Sequence, residues 1–287
     1  MARINEMRAL TWAYLGLNKA DYDLVEIKNQ PFYGNSVKEG QSQVQIAFAG
    51  ETYGLSPEIN KENRDFRNHF LSFDIDKNRE TEFINLEMND ENNILVSSIE
   101  INARENTSSS FLVNFADKAQ GKIFINYQIL VILEKDYKVK LLVVVDIKND
   151  STNLNSIATR LSDRAELDIT YIEIGATKSM VNIRNILRGE ESKVVENGVY
   201  FKSKEEYLDL MTVNEHFGIN TDSNTLFNGA LKDKAVKNFK GIVDLRRGCT
   251  KADGKIGDYS MMLSDKVINK SAPILLNEEK EVAGKHA

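Results

Sequence analysis

Leu161-Ser-Asp-Arg-Ala165, Leu231-Lys-Asp-Lys-Ala235 and Leu263-Ser-Asp-Lys-Val267 are three copies of one short phrase in the second half of the chain. Looser copies stand at Leu133-Glu-Lys-Asp-Tyr137 and Leu187-Arg-Gly-Glu-Glu191. In each, an apolar residue enters, a polar turn follows and a β-rich run leaves. In chain order the starts, at residues 133, 161, 187, 231 and 263, are 28, 26, 44 and 32 residues apart. Recurrence at about 20 to 50 residues marks a solenoid, whose units bury their apolar faces only by stacking on their neighbours. The intervening runs are strand-like, so the phrase predicts a mainly β chain folded as a β-helix, with a small N-terminal helical or irregular region.

The runs themselves support this. Phe111-Leu-Val-Asn-Phe115, Lys122-Ile-Phe-Ile-Asn-Tyr127, Val139-Lys-Leu-Leu-Val-Val-Val145 and Leu167-Asp-Ile-Thr-Tyr-Ile-Glu-Ile174 are short, rich in β-branched residues and partly alternating. No long amphipathic pattern separates them, which argues against a βαβ architecture. A β-sandwich also uses many short strands, and the recurring turn favours the solenoid. Residues 1–40 read as an N-terminal helical cap, with Ala9-Leu-Thr-Trp-Ala-Tyr-Leu-Gly-Leu17 at helical spacing, and 41–91 as a mixed connecting region. Within the latter, Asn60-Lys-Glu-Asn-Arg-Asp-Phe-Arg67 reads as a solvated charged stretch. Residues 92–287 form the β-helix core.

The chain has 287 residues and a net charge of −6. That acidity, without a basic stripe, disfavours nucleic acid as a partner. The longest apolar runs, Ile129–Leu133 and Leu141–Val145, are too short to span a bilayer. The N-terminus lacks the apolar segment of a secretory signal, and the single cysteine, Cys249, suits a reducing compartment. A cytoplasmic protein without a membrane partner is expected.

The candidate chemistry is sparse. Cys249 follows Arg246-Arg247-Gly248, and neighbouring guanidinium groups lower a thiol pKa and favour the thiolate that binds metal or sulfur; the alternative is a small residue packed at a coil corner. His216 is either a metal ligand or a residue satisfying a turn, while His69 has no assigned role and His286 reads as part of a solvated terminus. Asp258 and Asp265 suggest a carboxylate pair for sugar hydrolysis, although Asp is an ordinary turn residue. One Cys and three scattered His do not make a metal cage, which takes about four ligands. Any metal site would be shared with another chain.

The order Leu231-Lys-Asp-Lys-Ala235, Phe239-Lys-Gly-Ile-Val243, Arg247-Gly-Cys-Thr250, Met262-Leu-Ser-Asp265, Ser271-Ala-Pro-Ile-Leu-Leu276 and Glu281-Val-Ala-Gly-Lys-His-Ala287 resembles the SufB/SufD family of iron–sulfur cluster assembly proteins. Thr11-Trp-Ala-Tyr-Leu-Gly-Leu-Asn18 resembles the opening phrase of the SufD-like branch. The resemblance implies a right-handed parallel β-helix acting as a non-enzymatic scaffold subunit of the SUF system. Such subunits pair with SufB-like partners or with themselves, and with the ATPase SufC. It also implies that His286 is the histidine that contacts iron or a cluster at the subunit junction. The position of the SufB cysteine falls near Asp258, a poorer ligand for a soft cluster, and Cys249 lies outside that register. No cofactor is then expected on this chain alone; an iron–sulfur cluster would be shared with the partner. Family members continue past the His-Ala phrase into a C-terminal helical domain that grips SufC. The stop at Ala287 implies a shortened chain or a lost module and puts SufC binding in doubt. It leaves the last coil uncapped, from which a homodimer is expected. The competing readings are a β-helix enzyme acting on polysaccharide and a purely structural interaction solenoid.

Overall fold

The alternation seen in the sequence is realised as two parallel sheets stacked back to back around one core. A computed structural model of the chain describes residues 1–8, 13–28, 30–33, 48, 52–78, 80–104, 108–147 and 150–287. It opens with β1 (Ala2–Ile4) and β2 (Ala20–Tyr22), paired antiparallel on either side of a 3₁₀ turn at Ala13–Leu15, and then α1 (Pro57–Phe66). The solenoid strands follow: β3 (His69–Ile75), β4 (Glu82–Met88), β5 (Ile94–Ala103), β6 (Ser108–Asp117), β7 (Ile123–Leu133), β8 (Lys138–Ile147), β9 (Ser151–Leu161) and β10 (Glu166–Gly175). They continue as β11 (Lys178–Leu187), β12 (Lys193–Lys202), β13 (Tyr207–His216), β14 (Asp222–Leu231), β15 (Val236–Leu245), β16 (Asp253–Met262), β17 (Ile268–Asn277) and β18 (Ala283–His286). Odd-numbered strands from β3 to β17 make one eight-stranded sheet and even-numbered strands from β4 to β18 the other, so the chain switches sheets at every turn.

Each coil therefore has two corners, and the sequence phrase serves both. Its copies at 133, 161 and 187 turn from the odd sheet to the even one, whereas Leu231–Ala235 turns back from even to odd. The interval of 44 residues between Leu187 and Leu231 is about one and a half coils, not one long repeat. True odd-sheet register runs Leu133–Leu161–Leu187–His216–Leu245. At each odd-to-even corner from β7–β8 to β15–β16 one residue is left-handed: Asp136, Arg164, Glu191, Asn220 and Lys251. Each gives its N–H to the carbonyl of the next corner, from Asp136 to Asp163 at 3.0 Å through Asn220 to Thr250 at 2.9 Å. A polar residue is suited to that place because the corner is solvated, and asparagine and aspartate tolerate the left-handed region best. The third sequence copy departs from this pattern. Met262, not Leu263, holds the position in register with Leu231, and Leu263 is half exposed.

Inside, the stacked residues form one continuous apolar core that runs from Leu71 to Ile256. Two glycines are required by its packing. A Cβ on Gly198 would lie 2.0 Å from the Phe227 ring, and one on Gly229 would lie 2.2 Å from the Tyr200 ring, so each glycine vacates the volume that the aromatic ring of the adjacent coil fills. Gly198→Ala is expected to destabilise the chain by about 1–3 kcal/mol, because the ring has no free space to enter. The midpoint of urea unfolding checks it.

For the N-terminal part the expectation is a small helical or irregular region. Ala9 to Trp12 lie outside the described residues, as do Gly34, Gly40 and Gly50; what is described of residues 1–28 is a small hairpin and one 3₁₀ turn, not a helix. Its Ala2, Ile4, Ala20 and Tyr22 pack on Leu154 and Met180 of the odd sheet. The stretch read as solvated is largely α1, capped by Ser56, whose Oγ accepts from the Ile59 N–H at 3.3 Å, with proline in the first turn. Its Asn60, Glu62 and Asn63 are buried. The outer face of the odd sheet is polar here. Asn63 Nδ2 donates to the carbonyls of Ser97 and Asn126 at 2.9 Å, and Gln128 Nε2 donates to Asn60 Oδ1 at 2.8 Å. A polar helix face is what such a surface needs, so charge in the sequence did not mean solvent. The sheets begin at His69 and Glu82, within the stretch assigned to the connecting region.

Candidate functional site

Strand parity decides which side chains of the last coils face the core. Phe239, Val243 and Leu245 point inward on β15, and the same parity turns Lys237 inward. On β16 it turns Asp258 and Ser260 inward beneath Phe227 and Gly229 of the preceding even strand. The result is a buried polar cluster. Lys237 Nζ is ion-paired with Asp258, both side chains being 1% exposed, and donates to Tyr200 Oη at 3.0 Å and Ser260 Oγ at 2.7 Å. Tyr200 donates to Asp258 Oδ1 at 3.1 Å. Burial lowers the Lys237 pKa, and the Asp258 charge partly opposes that; burial raises the Tyr200 phenol, with Asp258 adding to the effect.

Two more polar groups interrupt the core. Glu173 is paired at 2.9 Å with Lys202, both fully buried, and accepts from Tyr171 and Ser179. Glu196, one coil on, accepts from Thr212 Oγ1 at 2.9 Å and Asn185 Nδ2 at 3.0 Å. Its pKa is raised to about 7 by burial, those hydrogen bonds opposing the shift only in part.

The sequence-predicted residues are dispersed among these features. Asp258 is no free carboxylate: Lys237 holds it in the interior while Asp265 is exposed in a turn, so the pair imagined for sugar hydrolysis does not face a common cleft. His216 occupies the inward place of Leu187 and Leu245 in its ladder. Its Nδ1 meets Thr221 Oγ1 and its Nε2 meets Ser223 Oγ, each at 2.8 Å, and burial lowers its pKa to about 4. Both ring nitrogens are thus taken. His69 is buried with Nδ1 at 2.8 Å from Ser97 Oγ, and its pKa is likewise lowered to about 4 by burial. Cys249 is in the apolar core at the corner before β16. The expected activation by arginine is reversed. Burial, followed by the charges of Glu279 and Asp244, pushes the thiol up to about 11, while Arg246 is engaged by Glu215 and Asp244. Native Cys249 is accordingly expected to react with a disulfide reagent at pH 8 roughly a hundredfold more slowly than a free thiol, measured against the urea-unfolded chain.

His286 stands apart. It continues the even-sheet ladder after Ile256 and is exposed. The Ala287 N–H donates to Ile256 O at 3.0 Å and fixes the strand there. Of the three histidines in the chain it alone is open to solvent. Around the same coils lie Tyr259, Met261, Met262, Leu263 and Ile268, the two methionines 65% and 62% exposed. Met261 extends an outer row through Ala230 and Phe201 to Ile174. This row, with Ile174, Phe201 and Met261 exposed, is the kind of apolar surface that marks docking, whereas Met262 takes the inward phase and Ile268 stands on the other sheet. Among the described residues no three His, Cys, Asp or Glu side chains converge as a metal site, and no helix is long and apolar enough to cross a membrane.

Sequence reasoning missed Lys202, Lys237 and Glu196. The signal was present as parity: Lys237 shares the inward phase of β15 with Phe239, Val243 and Leu245, and Glu196 and Lys202 share that of β12 with Val194 and Tyr200.

The sequence compares with known proteins as follows. Over 72 residues it is 36% identical to the iron-sulfur cluster assembly protein SufD of Bacillus subtilis (strain 168); the match covers 25% of this chain and 16% of that protein, so it spans about a sixth of its relative's length. The profile described as SUF system FeS cluster assembly, SufBD core domain, matches residues 85–287, which takes in every solenoid strand from β5 onward. With the parallel two-sheet solenoid that fills that span, the chain belongs to the SufBD core family of the SUF iron–sulfur cluster assembly system.

Proposed function

We propose that the chain is a non-enzymatic scaffold subunit in SUF iron–sulfur cluster assembly. It pairs with a SufB-like subunit, or with a second copy of itself, through the exposed apolar residues of its C-terminal coils, and the assembly works with a SufC-like ATPase. His286 offers a nitrogen ligand to iron or to the nascent cluster at that junction. The observation that carries this reading is the match of the SufBD core domain over residues 85–287, and His286, exposed on β18, lies within it.

The cluster is cargo here, not a resident group. Neutral imidazole is a competent ligand for iron. A cluster needs about four donors, so the remaining ligands in this reading come from the partner. Cys249 is a poor donor in the described state because its thiol is buried and protonated at neutral pH. The burial of Asp258 against Lys237 supports a scaffold over a glycoside-cleaving enzyme.

His286→Ala is expected to reduce cluster content on the co-assembled complex about tenfold, in the range seen when a metal's coordination shell is disturbed, without altering capture of the partner. His216→Asn is expected to leave cluster content unchanged. Iron and sulfide content of the purified complexes provides the readout. Equal content in the wild type and His286→Ala would remove His286 from the site.

A further inference from the structure

The two sheets differ in what lies on their outer faces. The N-terminal segment packs over the odd sheet: Ala2, Ile4 and Tyr22 rest on Leu154 and Met180, and Met7 and Leu17 on Met211, Val213 and Ile242. The outer face of the even sheet is open to solvent, with Ile174, Val195, Val199 and Phe201 between 37% and 48% exposed. Parallel sheets are as a rule covered on both faces, so an open apolar one calls for a partner.

The open face is ordered by row. Outward side chains in register across β6, β8, β10, β12 and β14 form five rows. The third row, from Leu112 to Leu226, and the fourth, from Asn114 to Asn228, hold no charged residue. Leu142, Val144, Ile172 and Val199 lie in them. Charge stands at the margins. Lys138, Lys140 and Lys193 alternate with Glu166, Asp168 and Asp222 in the two rows at the strand starts, Lys138 and Glu166 being 2.9 Å apart. Asp146 lies in the row at the strand ends. An uncharged centre inside a charged rim is the anatomy of a protein–protein interface.

Charge and size indicate which protein fits. Three lysines against four carboxylates give this face a net charge of −1, in a chain of −6. A nearly neutral face neither selects a strongly charged partner nor repels its own copy. Each of the five strands is ten residues long. At about 4.8 Å between strands and about 3.3 Å per residue they offer about 800 Å², the area each partner of a standard stable interface buries.

We propose that two copies of the chain associate through this face, their even sheets stacked about 10 Å apart with Ile172 and Val199 near the centre. The contact is separate from the junction proposed at His286, which belongs to β16 to β18, and leaves that end available to a different subunit.

Sedimentation equilibrium on the intact chain is the test. Interfaces of this size bind at micromolar concentration or tighter, so the wild type is expected to be at least dimeric at about 10 μM. The variant with Met261 and Leu263 both replaced by Ser, which disturbs the junction, is expected to dimerise as well. Val199→Glu on that background is expected to weaken dimerisation about a hundredfold, since the symmetric contact brings two carboxylates into an apolar centre. Asn197→Lys, in the neighbouring row, exchanges one exposed polar side chain for another and so spares the fold; it is expected to act likewise. A serine variant that is monomeric at about 10 μM, or a dimer that neither Val199→Glu nor Asn197→Lys weakens, would overturn the proposal. The first outcome would place any self-association at the end coils or leave the face to a different protein.

Discussion

Lys202→Met is expected to destabilise the chain by about 3–5 kcal/mol, the usual cost of removing one partner from a buried ion pair. Lys202 and Glu173 are both fully buried, and Lys202 also donates to the Gly175 carbonyl and to Ser179 Oγ. Without the ammonium, Glu173 must stay charged in an apolar core or take up a proton, and either costs free energy. The pair as a whole is worth much less than this figure, because taking both charges out of water offsets most of their attraction. Lys202→Met combined with Glu173→Leu is therefore expected to recover much of the loss. Urea unfolding followed by far-UV circular dichroism measures both variants. If the single variant keeps the wild-type midpoint, the pair is not formed as described. Solenoid units exchange stability mainly with their neighbours, so hydrogen exchange should show the loss concentrated in β10 to β13.

The second large effect is on acid stability. His216 and His69 have folded pKa values of about 4, against about 6.5 in an unfolded chain. Between those limits the unfolded chain takes up protons that the fold excludes, so stability is full above the window and falls as pH drops through it. Each histidine accounts for about 3 kcal/mol across the window. Glu196 acts with the opposite sign. Its folded pKa of about 7 exceeds the ordinary value of about 4.3, so its contribution is lost as pH rises through that interval. Glu62 and Asp244, whose carboxyls burial also raises, act with the same sign as Glu196; the two histidines are expected to outweigh them, so that stability falls between about pH 6.5 and about pH 4. His216→Asn should flatten that fall by about one proton, and Glu196→Gln should steepen it. Unfolding midpoints at closely spaced pH values give both slopes. A wild-type stability that rises toward acid would contradict the burial of the two rings.

The solenoid was legible because its signal is local and repeated. An odd-to-even corner sets a left-handed polar residue before a buried one, as in Arg164 and Ala165, Asn220 and Thr221 or Lys251 and Ala252, and the pattern recurs along the later coils. The phase of the repeat was harder to read, because both corners satisfy the same chemistry and Leu187 and Leu231 lie on opposite ones. Charge in α1 misled for a different reason: Glu62 and Asn63 find partners on a sheet face that lies 34 to 64 residues away in sequence. Cys249 failed in the same way. Its neighbours in sequence are arginines, but Arg246 turns to carboxylates and the thiol turns to the core. His286 is a candidate only through family resemblance, since a histidine in Val282-Ala-Gly-Lys-His286 has no pattern of its own.

The central claim is best tested by capture. A tagged copy of this chain is co-expressed with the SufB-like and SufC-like subunits of the same organism, in wild-type form and with Met261 and Leu263 both replaced by Ser. The account predicts that the wild type retains the SufB-like subunit through purification and that the serine variant, equally folded, loses it. Failure of the wild type to retain either subunit, or equal retention by both forms, would contradict it.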